Sequence, residues 1–294
     1  MKIFDCFMYF DEEVVLDLRL NSLDSYVDYF VIVESTFTHK GEKRELKFNH
    51  KKFERFKNKI IYLVYDEEPK EIEKIYEMDD DGTYITNALF RENGQRNFIN
   101  QGLNKAKSSD LILISDVDEI PNLENINLTN LNKKIILFKQ NMFYYKFNLI
   151  SPGVSWIGTK ACKKKDLVNP QWLRNIKSTK YPFFRIDTFF SNSKYTDKFY
   201  IKNGGWHFSN LKNSADIELK LKSYLHHHDY ESEELGKEKI EELIKNNSTI
   251  YDMFVDKTSN KYDDKSRKQL EKFEINKLPL YIQTNLNKFK DWVD

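Results

Sequence analysis

The stretch "LILISDVDEIPN" (residues 111–122) is the strongest indication of the fold class, because an apolar run suited to a buried strand ends in three carboxylates, Asp116, Asp118 and Glu119. Continuous apolar runs are typical of parallel strands that are buried on both faces, and functional side chains gather where such strands end. Carboxylates this close together repel one another, so the cluster predicts a positive partner. A solvated turn, with Pro121 ending the strand, is the alternative interpretation.

Three more apolar runs precede this one, at residues 2–10, 29–35 and 59–66, and each is rich in Ile, Val, Phe or Tyr. Residues 11–27 and 86–106 lie between these runs and have apolar side chains at helical spacing. Strands that alternate with helices are typical of a doubly wound α/β sheet, so we predict that fold class.

The second half of the chain has a less regular pattern. After a further predicted strand at residues 133–147, the stretch 148–205 contains several Pro and Gly residues and predicts loops and short strands. Residues 214–228 and 232–247 predict helices, and the residues after them predict a helical or extended tail. No repeat and no low-complexity linker divides the chain, so we expect one domain over residues 1–294.

The composition argues against several classes of protein. The 294 residues include 47 Lys and Arg against 46 Asp and Glu, a formal charge of +1, so no global field would attract nucleic acid or an anionic membrane. The two cysteines, Cys6 and Cys162, cannot form a disulfide framework, which favours a reducing compartment. No stretch reaches the roughly 20 apolar residues of a membrane-spanning helix, and acids appear too early for a signal peptide. We therefore expect a soluble, cytoplasmic protein.

The acids after the fourth strand predict a metal site. Asp116 and Asp118 are two positions apart, and on a turn at the end of a strand both side chains can converge on one cation. Mg²⁺ and Mn²⁺ take oxygen ligands, commonly one or two carboxylates together with phosphate oxygens of a substrate. The pair therefore predicts a divalent cation that holds a phosphorylated ligand.

The motif "RENGQRN" (91–97) is a candidate for binding that ligand. Helical spacing places Arg91 beside Gln95 and Glu92 beside Arg96. Two guanidinium groups would suit a diphosphate, because arginine binds phosphate oxygens bidentately. An exposed helix with a Glu92–Arg96 ion pair is the alternative.

The motif "NGGWHFSNL" (203–211) combines two glycines, which permit a close backbone approach, with Trp206 and His207. The indole could stack on a ligand, and the imidazole could bind a metal. A structural histidine with satisfied hydrogen bonds is the alternative.

Taken in order, these motifs resemble glycosyltransferase family 17. The resemblance rests on "FDCFMYFDEEVVLDLRLNSLDSYVDYFVIVES" (4–35), "RENGQRN", "LILISDVDEIP" (111–121), "VSWIGTK" (154–160) and "GGWHFSNL" (204–211). It implies a GT-A type fold: one mixed, mostly parallel sheet flanked by helices, with a helical C-terminal tail. It also implies a metal-bridged UDP-sugar donor, with N-acetylglucosamine as the sugar, and inverting transfer to a hydroxyl of a glycan acceptor.

The family's functional residues are carried over to the matching positions of this chain. Asp116 and Asp118 match the D-x-D motif and, with His207, are the implied ligands of Mn²⁺ or Mg²⁺. The implied donor-binding residues are Arg91, Gln95, Arg96, Glu34, Asp66 and Trp206. The implied parts of the domain are a nucleotide-binding part at 1–147, an acceptor-side and metal-closing part at 148–230, and the helical tail at 231–294.

Inverting transfer requires a base near the acceptor hydroxyl. "SYLHHHDY" (223–230) stands where the family has a segment with a histidine and an acid, so His226 and Asp229 are the implied candidates. Asp187 and Glu119 are further candidates. The histidines could instead form a solvent-facing helix end, which is favourable when they are protonated.

Two departures from the family leave the acceptor open. The chain begins almost at its first strand, whereas the eukaryotic members are membrane-anchored and lumenal, and residues 175–201 form a longer link than the family has. We therefore expect an acceptor other than an N-glycan, in a bacterial or viral glycan.

Two other functions fit part of the pattern. A nucleotidyl- or phosphotransferase could use the same carboxylates and metal, although the sequence has no Gly-rich phosphate loop of the Walker type. A non-catalytic carbohydrate-binding protein could use Trp156, Trp172 and Trp206 as sugar platforms. That second function would not require the acidic cluster.

Overall fold

A computed structural model describes residues 1–74, 81–124, 126, 128, 133–182, 184–188, 190–223, 230, 235–251 and 267–294. In these ranges ten strands form one mixed, mostly parallel β-sheet with helices on its faces. The α/β class predicted from the alternating pattern is confirmed, and the sheet is consistent with a GT-A type fold. None of the described helices is both long and apolar enough to cross a membrane.

The first half of the sheet is parallel. Its strands are β1 (Ile3–Tyr9), β2 (Tyr29–Ser35), β3 (Ile60–Tyr65) and β4 (Leu111–Asp116), in the spatial order β3-β2-β1-β4. Helix α1 (Glu13–Leu23) connects β1 to β2, and helix α2 (Asp81–Phe98) precedes β4. Because the strands are parallel, the carboxyl ends of β1, β2 and β4 meet at one edge of the sheet, where ligands of such folds bind.

Beyond β4 the strands run in mixed directions. They are β5 (Glu119–Pro121), β6 (Ile135–Tyr144), β7 (Leu149–Lys163), β8 (Lys198–Ile201), β9 (Gly205–Ser209) and β10 (Glu271–Lys272). Strand β7 is antiparallel to both β4 and β6, while β9 is parallel to β6. Strand β5 is antiparallel to β9, which brings the chain after β4 against the motif at 203–211.

Strand β7 is the main difference from the sequence prediction, which expected loops and short strands over 148–205. It is a single strand of 15 residues despite Pro152 and Gly153. These two residues lie where the pairing with β6 shifts register, so the proline removes no ladder hydrogen bond there. Gly153 has a φ of +73°, which glycine adopts without strain.

Short helices complete the described fold. They are α3 (Pro170–Asn175), α4 (Ser214–Ser223), α5 (Gly236–Lys245) and α6 (Leu280–Thr284). Helices α4 and α5 confirm the helices predicted at 214–228 and 232–247, within the described residues. Helix α6 lies in the tail, where Phe289 is buried in the main core, so the tail packs on the body as expected.

The core consists of apolar clusters around the sheet. On one face, Leu16 and Leu20 of α1 belong to a cluster with Phe7 of β1 and with the C-terminal tail. Another cluster includes Leu173 of α3 and Ile114 of β4. A third connects α4 and α5 to the end of β6. These clusters fix the elements whose ends form the polar edge of the sheet.

Candidate active site

A cavity of about 500 Å³ lies where β1, β2 and β4 end. Its wall includes one side of α2, the turn between β4 and β5, and residues of β9 and α4. The charged or ionisable side chains on this wall include Glu92, Arg96, Asp116, Asp118, Glu119, His207 and Lys220. A cavity of this size with a few convergent polar groups is typical of a ligand-binding site.

The turn at residues 116–119, called here the acidic turn, is held by strand pairing. Strand β4 ends at Asp116, and β5 begins at Glu119. The N–H of Phe208 in β9 donates to the carbonyl of Asp118 at 2.9 Å, and Glu119 lies opposite His207. Two motifs that are distant in the sequence therefore meet at the cavity.

Asp116 lies between two arginines. Its Oδ1 accepts a hydrogen bond from Arg96 at 3.1 Å, and its Oδ2 accepts one from Arg174 of α3 at 2.7 Å. Burial alone would raise the pKa of Asp116, but Arg174 and Arg96 outweigh it and hold the pKa well below its usual value. Asp116 is therefore a carboxylate at neutral pH.

Asp118 has looser partners. Its Oδ1 lies 3.5 Å from Nε2 of His207, and its Oδ2 lies 3.8 Å from Nζ of Lys220 on α4. Burial opposes ionisation, but His207 and Lys220 lower the pKa of Asp118 overall. Burial likewise opposes the charge on His207, and the nearby Asp118 more than compensates, so the pKa of His207 is raised.

Glu119 is fully buried, and both of its carboxylate oxygens are engaged. Trp156 of β7 donates its indole N–H to Oε1 at 2.6 Å, and the backbone N–H of Asp116 donates to Oε2 at 2.9 Å. Arg174 donates to both oxygens, at 2.8 and 2.9 Å. These hydrogen bonds fix the orientation of the Glu119 carboxylate within the acidic turn.

The acids thus have positive partners from the chain itself. Arg96 and Arg174 contact Asp116, while His207 and Lys220 face Asp118. The sequence predicted a positive partner and proposed a metal ion for it. The described part of the chain supplies four ionisable groups in that position.

The geometry tests how well the predicted ligands fit a metal. The 3.5 Å between Oδ1 of Asp118 and Nε2 of His207 is longer than a strong hydrogen bond, so the lone pairs of both atoms can turn toward one cation. The buried Nδ1 of His207 has no hydrogen-bond partner among the described residues, so no contact there fixes the tautomer. Both oxygens of Asp116 already accept hydrogen bonds from arginines. In the same ranges, no three His, Cys, Asp or Glu side chains are grouped closely enough to hold a metal. Asp118 and His207 fit a divalent cation, and Asp116 would bind it only by releasing an arginine.

Two of the predicted donor-binding residues, Gln95 and Arg96, line the cavity. Gln95 donates to the carbonyl of Val33 at 3.1 Å, and its Oε1 lies 3.3 Å from Nε2 of His39. Arg91 is not on the cavity wall. It pairs with Glu68 at 2.9 Å and donates to the carbonyls of residues 39 and 40, so it braces the loop that follows β2.

The other three predicted donor-binding residues also lie off the cavity wall. Glu34 is fully buried, where its carboxylate accepts hydrogen bonds from Arg44 at 3.0 Å and from the hydroxyl of Tyr62 at 2.9 Å. Trp206 donates its indole N–H to the carbonyl of Lys277 at 3.1 Å. Asp66 is exposed, immediately after β3.

Of the predicted bases, Glu119 lies in the acidic turn itself, and no described contact brings Asp187 to that turn. His226 and Asp229 lie outside the described residues. Asp187 is exposed, off the cavity wall, and paired with Arg185 at 2.6 Å and Lys194 at 3.0 Å. Hydrogen bonds from these two cations lower the pKa of Asp187, which makes it a weak base in this arrangement.

The three tryptophans considered as sugar platforms do not share one surface. Trp156 lines the cavity, where its ring centroid lies 5.5 Å from that of His207. Trp172 is buried and donates to the carbonyl of Asn192 at 2.7 Å. Neither Trp172 nor Trp206 lies on the cavity wall.

Arg174 and Lys220 were missed by the sequence interpretation. Arg174 follows the acidic turn by more than fifty positions, and Lys220 lies on a helix rich in lysine, so neither has a local signal. A buried acidic cluster requires cations, which was the one available clue. That requirement does not say which of the 47 Lys and Arg residues would meet it.

Known proteins with similar sequences indicate one family. The sequence profile of glycosyltransferase family 17 matches residues 1–293. The chain is 33% identical over 111 residues to the beta-1,4-mannosyl-glycoprotein 4-beta-N-acetylglucosaminyltransferases of Homo sapiens and Rattus norvegicus, and 32% identical to that of Mus musculus. Each match covers 36% of this chain and only 19% of the relative's length.

Proposed function

The chain belongs to glycosyltransferase family 17, and from this premise we propose that it transfers N-acetylglucosamine from UDP-GlcNAc to a hydroxyl of a glycan acceptor, with inversion and with a divalent cation. The observation that supports this most directly is the cavity itself. It places the acidic turn beside Arg96, His207 and Lys220, at the edge of the sheet where α/β folds bind nucleotides.

The donor diphosphate would lie among the cations of the cavity. Arg96 and Lys220 approach the acidic turn from α2 and α4, so they flank the space above it. Both Nη atoms of Arg96 already donate to side chains, those of Gln171, Glu92 and Asp116, so Arg96 and Lys220 would act on the diphosphate mainly through their positive charge. Gln95 and His39 line the same wall and provide neutral hydrogen-bonding groups for the nucleoside.

Asp118 and His207 would hold the cation, Mn²⁺ or Mg²⁺, and Asp116 would contribute its negative charge nearby. A bound dication would stabilise the charge that develops on the departing UDP. Arg174 orients the carboxylates of Asp116 and Glu119 in this arrangement and lowers the pKa of Asp116. Of the other proposed donor-binding residues, Arg91 and Glu34 would act indirectly, by holding the loop after β2. Asp66, at the end of β3, and Trp206, in the 203–211 motif, are proposed from the sequence alone.

Inverting transfer also needs a base on the acceptor side. Asp229 and His226 are the proposed pair, because they match the family segment that contains a histidine and an acid. Asp187 is the weaker proposal, since it would first have to leave Arg185 and Lys194. The buried free thiols of Cys6 and Cys162 suit the reducing cytoplasm that we propose as the compartment.

The proposal is tested with the purified chain, UDP-GlcNAc and Mn²⁺, by following the release of UDP with and without EDTA. We expect slow release that EDTA abolishes. Asp118→Asn should reduce release by at least about 100-fold, because it removes a carboxylate ligand of the cation that would stabilise the charge on the departing UDP. Asp197→Asn is the matched control, since Asp197 forms a surface ion pair with Lys133.

Other outcomes of the UDP-release assay would favour one of the alternative functions. Release of pyrophosphate instead of UDP would favour nucleotidyl transfer. Sugar binding that is indifferent to EDTA, with no turnover, would favour a carbohydrate-binding protein. Full activity of Asp118→Asn would contradict the proposed role of the acidic turn in binding the cation.

A further inference from the structure

Arg19 of α1 lies beneath the acidic turn and is fully buried. Its Nη1 donates to three backbone carbonyls of the turn, those of Asp116, Val117 and Glu119, each at 3.0 Å. Its Nη2 donates to Oγ of Ser115 at 2.5 Å. One guanidinium group therefore contacts Ser115, Asp116, Val117 and Glu119, from the end of β4 to the start of β5.

The other side of the same guanidinium group is anchored in the sheet. Nε and Nη2 of Arg19 donate to the two oxygens of Asp5 in β1, at 2.7 and 2.6 Å. The group also lies over the ring of Phe7, 4.5 Å from its centroid. Because β1 pairs with β4 along its length, the anchor and the turn belong to one rigid unit.

A buried ion pair is a weak means of stabilising a fold, because removing two charges from water offsets most of their attraction. Arg19 instead fixes the backbone geometry of the acidic turn through its hydrogen bonds. Its five N–H groups serve the two oxygens of Asp5, the hydroxyl of Ser115 and the three carbonyls at the same time, whereas a lysine ammonium has three N–H groups on one atom. Arg174 holds the side chains of the acidic turn, whereas Arg19 holds its backbone.

We propose that Arg19 is a positioning residue, which fixes the backbone of the acidic turn so that the carboxylate of Asp118 faces the cavity. The proposal rests on the proposed function of that turn. Arg19 is off the cavity wall and acts only through the turn.

The test compares Arg19→Lys with Leu20→Ala. The lysine keeps the charge beside Asp5 and loses the fork, while Leu20→Ala weakens the same helix at a fully buried position and leaves Arg19 intact. UDP release is measured at saturating UDP-GlcNAc and Mn²⁺, together with the donor KM and the urea midpoint. We expect kcat of Arg19→Lys to fall about 100-fold with a smaller change in KM, since displacements of this kind cost about that much. Leu20→Ala should shift the urea midpoint and keep kcat within about threefold of the unmodified chain.

Amide hydrogen exchange supplies a readout that does not depend on turnover. Arg19→Lys should exchange at least about tenfold faster at residues 115–121 and 206–209, with β2 unchanged, because the turn has lost its backbone contacts. If the unmodified chain releases no UDP, the proposed function fails, and the exchange rates still decide the role of Arg19. Normal exchange at the turn, or a kcat within about threefold of the unmodified chain, would overturn the proposal.

A second variant covers the case in which Arg19→Lys does not fold. The double substitution Asp5→Asn with Arg19→Gln removes both buried charges together, so neither is left uncompensated. It should fold and still show the loss of kcat. Recovery of kcat in this folded double variant would mean that only the ion pair mattered, which is contrary to the proposal.

Discussion

Replacing Arg174 by methionine should destabilise the fold in a manner that depends on pH. The substitution removes the guanidinium group that contacts Asp116 at 2.7 Å and Glu119 at 2.8 Å, and it keeps much of the apolar stem. Leaving the fully buried charge of Glu119 without this partner costs roughly 3–5 kcal/mol, whereas the side chain of Asp116 is 38% exposed and solvent screens its share. Asp116 keeps Arg96, and Glu119 keeps Trp156, so we expect the lower end of that range, about 3 kcal/mol near pH 7.5.

The sign of the pH dependence follows from the carboxylate. In the unmodified chain the folded pKa of Asp116 lies below its unfolded value of about 3.9, so this contribution to stability is present above that pH and is lost as the pH falls toward the folded pKa. In Arg174→Met the pKa of Asp116 should rise. The loss of stability should therefore be largest at neutral pH and should shrink as acid protonates Asp116.

Urea unfolding at pH 7.5 and pH 5.0 measures both effects. Arg55→Met is the matched control, because Arg55 forms an exposed ion pair with Asp24, of the kind that contributes at most about 1 kcal/mol. The reasoning would be refuted if Arg174→Met lost no more stability than Arg55→Met, or if its loss were the same at both pH values.

Two further predictions concern residues around the site. Burial and the nearby Arg174 lower the pKa of Lys160 to about 7, against about 10.4 in the unfolded chain. Between these pH values the unfolded chain binds one more proton than the folded chain, so the free energy of unfolding should rise with pH. Lys160→Met should flatten this rise, as measured by urea unfolding. Gly205→Ala should separate β5 from β9 and abolish UDP release, because φ is +126° and the added Cβ would lie 2.1 Å from the carbonyl oxygen of Ile120. Gly153→Ala is its control, with φ +73° and no atom within 4 Å, and it should cost only the roughly 1–2 kcal/mol of the left-handed backbone and leave activity intact. Equal activity of the two alanine variants would contradict the second prediction.

The parallel half of the fold could be predicted from the sequence because its strands are continuous apolar runs, with β1, β2 and β4 largely buried and β3 half-buried at the edge of the sheet. The apolar run at 29–35 coincides with β2, and the run at 59–66 contains β3 with one residue to spare at each end. Strand β7 could not be predicted in the same way. It is partly exposed and includes a proline and a glycine at a bulge, so neither apolar continuity nor alternation marks it.

The candidate site was predictable only in part, for a related reason. The acidic turn comes directly after an apolar run, and His207 lies in a short motif with two glycines and a tryptophan, so both can be recognised locally. The structure brings the two together. Their partners Arg174 and Lys220 lie on other elements, far away in the sequence. Pairing between residues so far apart produces no short sequence motif. Asp5 did offer a clue that was not used. A carboxylate in the middle of the buried run at 2–10 requires a cation, and Arg19 is the arginine that lies between apolar residues of α1.

The distance along the chain between the acidic turn and its cations also affects how the molecule is made. The turn leaves the ribosome before Arg174, His207 and Lys220 are synthesised. A nascent chain can complete β1 to β4 while the acids at the end of β4 are still hydrated and mutually repelled. Among the described strands β5 pairs with β9 alone, so the cavity is incomplete until β9 and Lys220 have been synthesised, and a chain that stops short of residue 203 would lack both.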